Sequence, residues 1–110
     1  MADRPVKVAI IFYSSTGTIY EMARTAVQAA QGAGAEVRLV RARELAPAEA
    51  VASNPAWQAN VERMDADGVA EATPDDIEWA DVVLFGTPTR YGAVAAQLKQ
   101  YIDGLSLIHI

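Results

Sequence analysis

The feature that most constrains this chain is an apolar, β-branched run from Val6 to Tyr13, broken only by Lys7, that ends abruptly in "SSTGT". Runs of this kind suit a strand buried on both faces, as in a parallel sheet covered by helices. Directly beyond it the period changes. Ile19, Met22, Ala23, Ala26, Val27 and Ala30 recur at three- and four-residue steps, which is one face of a helix. Thr18 with Glu21 predicts a capping box at the start of that helix, and Gly32 and Gly34 predict its end. Glu36 to Arg41, "EVRLVR", alternates like a strand with one wetter face, near a sheet edge. Asp81 to Gly86, "DVVLFG", reads as a second buried-type strand stopped by Pro88. Helical periodicity then returns from Gly92 to Leu105.

Between the second and third strands lies a long connection, residues 42–75. It is rich in Ala, acidic residues and Pro, has no clean strand, and has room for one or two short helices. Connections this long are often functional or interfacial. Thr73 or Asp75 opens a further helical turn through "DDIEWA". The alternation of strands and helices predicts an α/β fold with a parallel sheet and right-handed crossovers.

At 110 residues there is room for one small domain, 1–110. Hydrophobic residues make up 52%, enough for a core, but aromatics only 7%, so that core is built from Val, Ile, Leu and Ala. A net charge of −5 argues against a nucleic-acid partner, which calls for a basic face. Without cysteine there is no disulfide, thiolate metal site or Cys nucleophile. The apolar run behind "MADRPVK" is too short for a signal sequence or a membrane span, so a soluble cytoplasmic protein is expected. No metal site is expected either. His109 stands alone in the tail, and "DADG" resembles a calcium loop but has Asp76 where the twelfth-position Glu belongs. The acidic residues Asp65, Asp67, Glu71, Asp75, Asp76 and Glu78 read as a solvated face.

Two loops carry candidate chemistry. In "SSTGT", Ser14, Ser15, Thr16, Gly17 and Thr18 sit where a helix begins and its first N–H groups lack partners. A phosphate binds well at such a point. The spacing is neither that of a triphosphate loop nor of a dinucleotide fingerprint, which favours a monophosphate. Taken alone, the stretch fits a plain capping turn equally well. In "GTPTRYG", Gly86 and Gly92 permit tight turns, Pro88 and Thr89 fix the path, and Arg90 and Tyr91 project from the mouth of the sheet. Tyr91 could flank a planar ring and Arg90 could favour its reduced, anionic form. Together the loops read as the two halves of a mononucleotide site. Trp79 reads as a core or cap residue, and Trp57 as either a subunit contact or a loop anchor.

"YSSTGTIYEMA" resembles the phosphate loop of flavodoxin-like proteins, and "FGTPTRYGAVAAQLKQYIDGL" resembles the ring loop and following helix of WrbA-type NAD(P)H:quinone oxidoreductases. The resemblance covers residues 5 to about 105. It implies a flavodoxin-like doubly wound sheet and an FMN enzyme that takes hydride from NADH or NADPH and reduces quinones by two electrons. Ser14, Ser15, Thr16, Gly17, Thr18 and Ile19 would then hold the phosphate. Pro88, Thr89, Arg90, Tyr91 and Gly92 would border the isoalloxazine. No catalytic nucleophile or base is implied. An electron-carrying module that binds FMN, or an inactive fragment, is the alternative. The family commonly has His where this chain has Thr18, and it is typically homotetrameric. It also continues beyond "IDGL" with two more strands, whereas this chain reads "SLIHI". The expected sheet is therefore truncated after the third strand and its helix, in the order 2-1-3, with residues 106–110 a non-native tail and the third strand an apolar exposed edge.

Overall fold

The computed structural model describes residues 4–88 and 95–108. Strand β1 (Lys7–Phe12) leads into α1 (Thr18–Gly32) and β2 (Glu36–Arg41). The long connection holds α2 (Ala48–Ala52), α3 (Pro55–Ala66) and a two-residue strand, β3 (Ala70–Glu71). Helix α4 (Pro74–Trp79), strand β4 (Val82–Gly86) and α5 (Ala96–Ile108) complete the order. All pairings are parallel: β1 lies between β2 and β4, in register Ile10↔Leu39 and Ile10↔Leu84. The three long strands thus stand in the expected order. The sequence reading missed β3, which adds outside β2 through Val40↔Ala70 and gives β3-β2-β1-β4. Two residues, one of them Glu71, are too few to show a period.

Strand β1 explains why its run is continuously apolar. Val8, Ile10 and Phe12 face one core with Tyr20 and Ala23 of α1, Met64 of α3 and Val69. Ala9 and Ile11, with Tyr13 beyond them, face a second core with Val40, Ala42, Ala95 and Leu98. Alternate side chains enter opposite layers, so every position from Val8 to Phe12 is buried. Phe12 and Tyr20 stack with ring centroids 5.5 Å apart. On the other face, Tyr101 Oη of α5 donates to the Thr73 carbonyl at 2.8 Å, tying α5 to the start of α4.

Several expectations are corrected. Of the acidic residues expected on a solvated face, Asp65, Asp67, Glu71, Asp75 and Glu78 are exposed and Asp76 is not. Asp76 is buried; it accepts from the Thr73 N–H at 2.8 Å and pairs with Arg38. Asp65 pairs with Arg41, and Asp67 accepts from Tyr20 Oη. Strand β4 is not buried on both faces: Val82, Leu84 and Phe85 are each more than 40% exposed. They form the apolar edge that the resemblance implied. Helix α5 is described from Ala96 to Ile108, and Gly92 to Val94, where its period is expected to begin, lie outside the described residues.

Trp79 packs against the second core with Arg38 4.3 Å from its ring centroid. Among the described residues no helix is long and apolar enough to cross a membrane.

Candidate functional site

Both candidate loops leave the carboxyl ends of adjacent strands, β1 and β4. Strand order reverses between these two, which is where open α/β sheets form their ligand crevice. The Tyr13 N–H donates to the Gly86 carbonyl at 2.9 Å and holds the two exits together.

Beyond β1, Ser14 is buried and its Oγ accepts from the Gly17 N–H at 3.2 Å. Gly17 has φ +113°, a conformation that favours glycine, and is itself the N-cap of α1. The expected capping box does not form. Thr18 is the first helical residue and no side chain caps the helix. Glu21 pairs instead with Arg24 and Arg63. The first turn of α1 therefore presents its N–H groups without a side-chain acceptor, at the positive end of the helix dipole.

Asn60, from α3, lies beneath this loop. Its Nδ2 donates to the carbonyls of Ser14 at 3.1 Å and Ser15 at 3.2 Å. These bonds hold two loop carbonyls toward the interior. Ser14, Ser15, Thr16, Thr18 and Ile19 line a pocket of about 270 Å³ together with Pro88. The first loop is thus brought against the start of the second.

The second loop is tied at its base. Thr87 Oγ1 donates to the Pro88 carbonyl and accepts from the Ala95 N–H, each at 2.9 Å. Gly86 has a different role from the expected turn. A Cβ there would stand 3.1 Å from Ile19 Cγ2, so its missing side chain lets β4 approach α1. Thr89, Arg90, Tyr91 and Gly92 lie outside the described residues.

A third anchor joins the same end of the sheet. Glu44 accepts from Tyr13 Oη at 2.7 Å, Gln97 Nε2 at 2.7 Å, and the N–H groups of Leu45 and Ala46. Partial burial alone would raise the Glu44 pKa, but these hydrogen bonds outweigh it and hold the carboxyl below its ordinary range.

Sequence reading missed Asn60, Thr87 and Glu44. Each acts through a distant partner, so local spacing carries no sign of it. The pocket fits an anion: its lining offers four hydroxyls and the uncapped helix turn, and no carboxylate among the described residues.

Fold and loop placement define a flavodoxin-like α/β protein with a hydroxyl-lined crevice at its topological switch point. Residues 6–109 match the family model described as NADPH-dependent FMN reductase, and the chain belongs to that family. It is similar to proteins named NAD(P)H dehydrogenase (quinone). With that of Deinococcus radiodurans it is 52% identical over 101 residues, covering 92% of this chain and 50% of the relative. With that of Archaeoglobus fulgidus it is 35% identical over 97 residues, covering 88% and 50%. With that of Syntrophobacter fumaroxidans it is 39% identical over 99 residues, covering 89% and 47%. The chain spans about half the length of these curated relatives.

Proposed function

We propose that this chain carries the phosphate-binding part of an FMN site in an NAD(P)H:quinone oxidoreductase. The observation that carries this reading is the uncapped start of α1, walled by Ser14, Ser15, Thr16 and Thr18 and facing Pro88 across one pocket. Family membership and the names of the relatives support it. When bound, FMN would supply the redox chemistry, a two-electron relay from NADH or NADPH to a quinone that, with two protons, becomes hydroquinone.

The chain's own residues bind and orient. The first turn of α1 and the four hydroxyls take the phosphate, with Gly17 allowing the turn and Ile19 packing beside it. Pro88 starts the loop on the ring side, and Thr89, Arg90, Tyr91 and Gly92 continue that border. No side chain of this set is needed as nucleophile or base.

The reading extends to assembly. Strand β4 offers an apolar edge, and the relatives are about twice as long. The edge is therefore the place where further strands of the domain pair. A homotetramer of the whole protein follows the resemblance, and a cytoplasmic location follows the cysteine-free composition.

The test is an assay of the whole protein reconstituted with FMN, following NADH or NADPH oxidation with a benzoquinone as acceptor. The reading expects FMN-dependent turnover with one quinone reduced per nicotinamide oxidised. FMN binding without quinone reduction would contradict the enzymatic part. Accumulation of a one-electron flavin state on titration would favour an electron carrier instead.

A further inference from the structure

The long connection between β2 and β4 has a specific task in this structure. Its helix α3 begins at an Asn54–Pro55 start, where Asn54 Oδ1 accepts from the N–H groups of Ala56 and Trp57. That start directs α3 so that Asn60 falls beneath the β1–α1 loop, with only 4% of its surface exposed. Both loop contacts are made by one atom, Nδ2, on two successive carbonyls. The other atom, Oδ1, is buried and has no hydrogen-bond partner. It faces Gly17, where an added Cβ would stand 3.3 Å away. An unpartnered buried carbonyl oxygen costs free energy, so the two bonds made by Nδ2 come at a cost that simple packing would not require.

We propose that Asn60 is a positioning residue for the anion pocket. By holding the Ser14 and Ser15 carbonyls inward, it leaves the pocket with donors and keeps their negative dipoles away from a bound phosphate. Gly17 is its counterpart, since a side chain there would press on Oδ1. The role of α3 is therefore to preorganise the phosphate loop before ligand arrives, which lowers the ordering cost of binding. This rests on the reading of the pocket as an FMN phosphate seat.

The test compares FMN with riboflavin, which shares the ring and ribityl chain but lacks the phosphate. Asn60→Leu keeps the side-chain bulk and removes both donated hydrogen bonds. Binding is read by flavin fluorescence on the 110-residue chain, and amide hydrogen exchange is followed at Gly17 and Glu21. The unaltered chain binds FMN more tightly than riboflavin. Asn60→Leu lowers the ratio of the two affinities by about 10-fold, the change given by loss of the order of one charge-assisted contact. A general loss of fold would weaken both ligands alike. An unchanged ratio overturns the proposal.

If the unaltered chain binds neither flavin, the FMN reading fails for this chain, and exchange decides the positioning role separately. Faster exchange at Gly17, whose N–H donates to Ser14 Oγ, in Asn60→Leu upholds it, and unchanged exchange there overturns it. Should Asn60→Leu fail to fold, Gly17→Ala is the second variant. It leaves Asn60 in place, crowds Oδ1, and is expected to lower the same ratio or, without flavin binding, to speed exchange at Glu21, whose N–H donates to the residue-17 carbonyl. No effect on either would overturn the proposal.

Discussion

A methyl group at Gly86 would meet Ile19 Cγ2 at 3.1 Å and Phe12 Cβ at 3.3 Å, and neither neighbour can yield freely. Phe12 is fully buried in the central strand, and Ile19 sits in the first turn of α1. Gly86→Ala is therefore expected to cost about 1–3 kcal/mol of stability through overpacking, read by urea denaturation. A loss of a few tenths would show that β4 and α1 are less closely apposed. Glu44 gives a second prediction at this scale. Its folded-state pKa lies below its ordinary value of 4.5, because hydrogen bonds from Tyr13, Ala46, Gln97 and Leu45 outweigh its burial. The sign follows from linkage: the contribution to stability is complete above the ordinary value and is lost as pH falls through the folded value. Between pH 6 and pH 3 the urea midpoint should therefore fall further for the unaltered chain than for Glu44→Gln. Equal falls would remove Glu44 from the account.

At the scale of elements, β1 was legible because burial on both faces leaves a plain mark in the sequence, six residues running into two cores. Ile11→Ala there should cost about 2–5 kcal/mol, since Ile11 is fully buried and deletion leaves a cavity; a calorimetric or urea measurement checks it. Helix α1 and strand β2 were equally readable from their periods. The connection was not. Its helices α2 and α3 carry weak apolar patterns, and the bounds of α3 were signalled mainly by Asn54–Pro55, a capping signature easily taken for a loop. The start of α1 was misread for a physical reason: Thr18 has the right composition for a cap, but the backbone at Gly17, with φ +113°, places the cap one residue earlier. Both site loops were visible as clusters of small and polar residues after strands. Their supports, Asn60, Thr87 and Glu44, were not, because each is defined by a partner 8 or more residues away. The edge strand β4 yields one further prediction. Leu84, 44% exposed beside Met22 and Phe85, gives a chain of these 110 residues a tendency to self-associate. Leu84→Lys should lower the associated fraction in light scattering with little change in helix content, and no change would mean that this edge does not drive association.

At the scale of the whole molecule, the four strands and five helices of the described residues bring the exits of β1 and β4 to one end of the sheet, with α3 beneath the first exit and α5 leading away from the second. The opposite end is closed by Arg4, whose guanidinium makes two bonds to Asp81 at 2.7 and 2.8 Å and depresses the Asp81 pKa. Function and closure are thus divided between the two ends of the strands, as the open α/β architecture provides. The central claim is that the β1–α1 loop receives the FMN phosphate, and the most direct measurement is backbone amide NMR of the chain titrated with FMN. The account predicts shifts concentrated at residues 14–20, with smaller ones at 86–88, and a weaker response at 14–20 when riboflavin replaces FMN. Shifts that avoid residues 14–20, or that are the same for the two flavins, would contradict it.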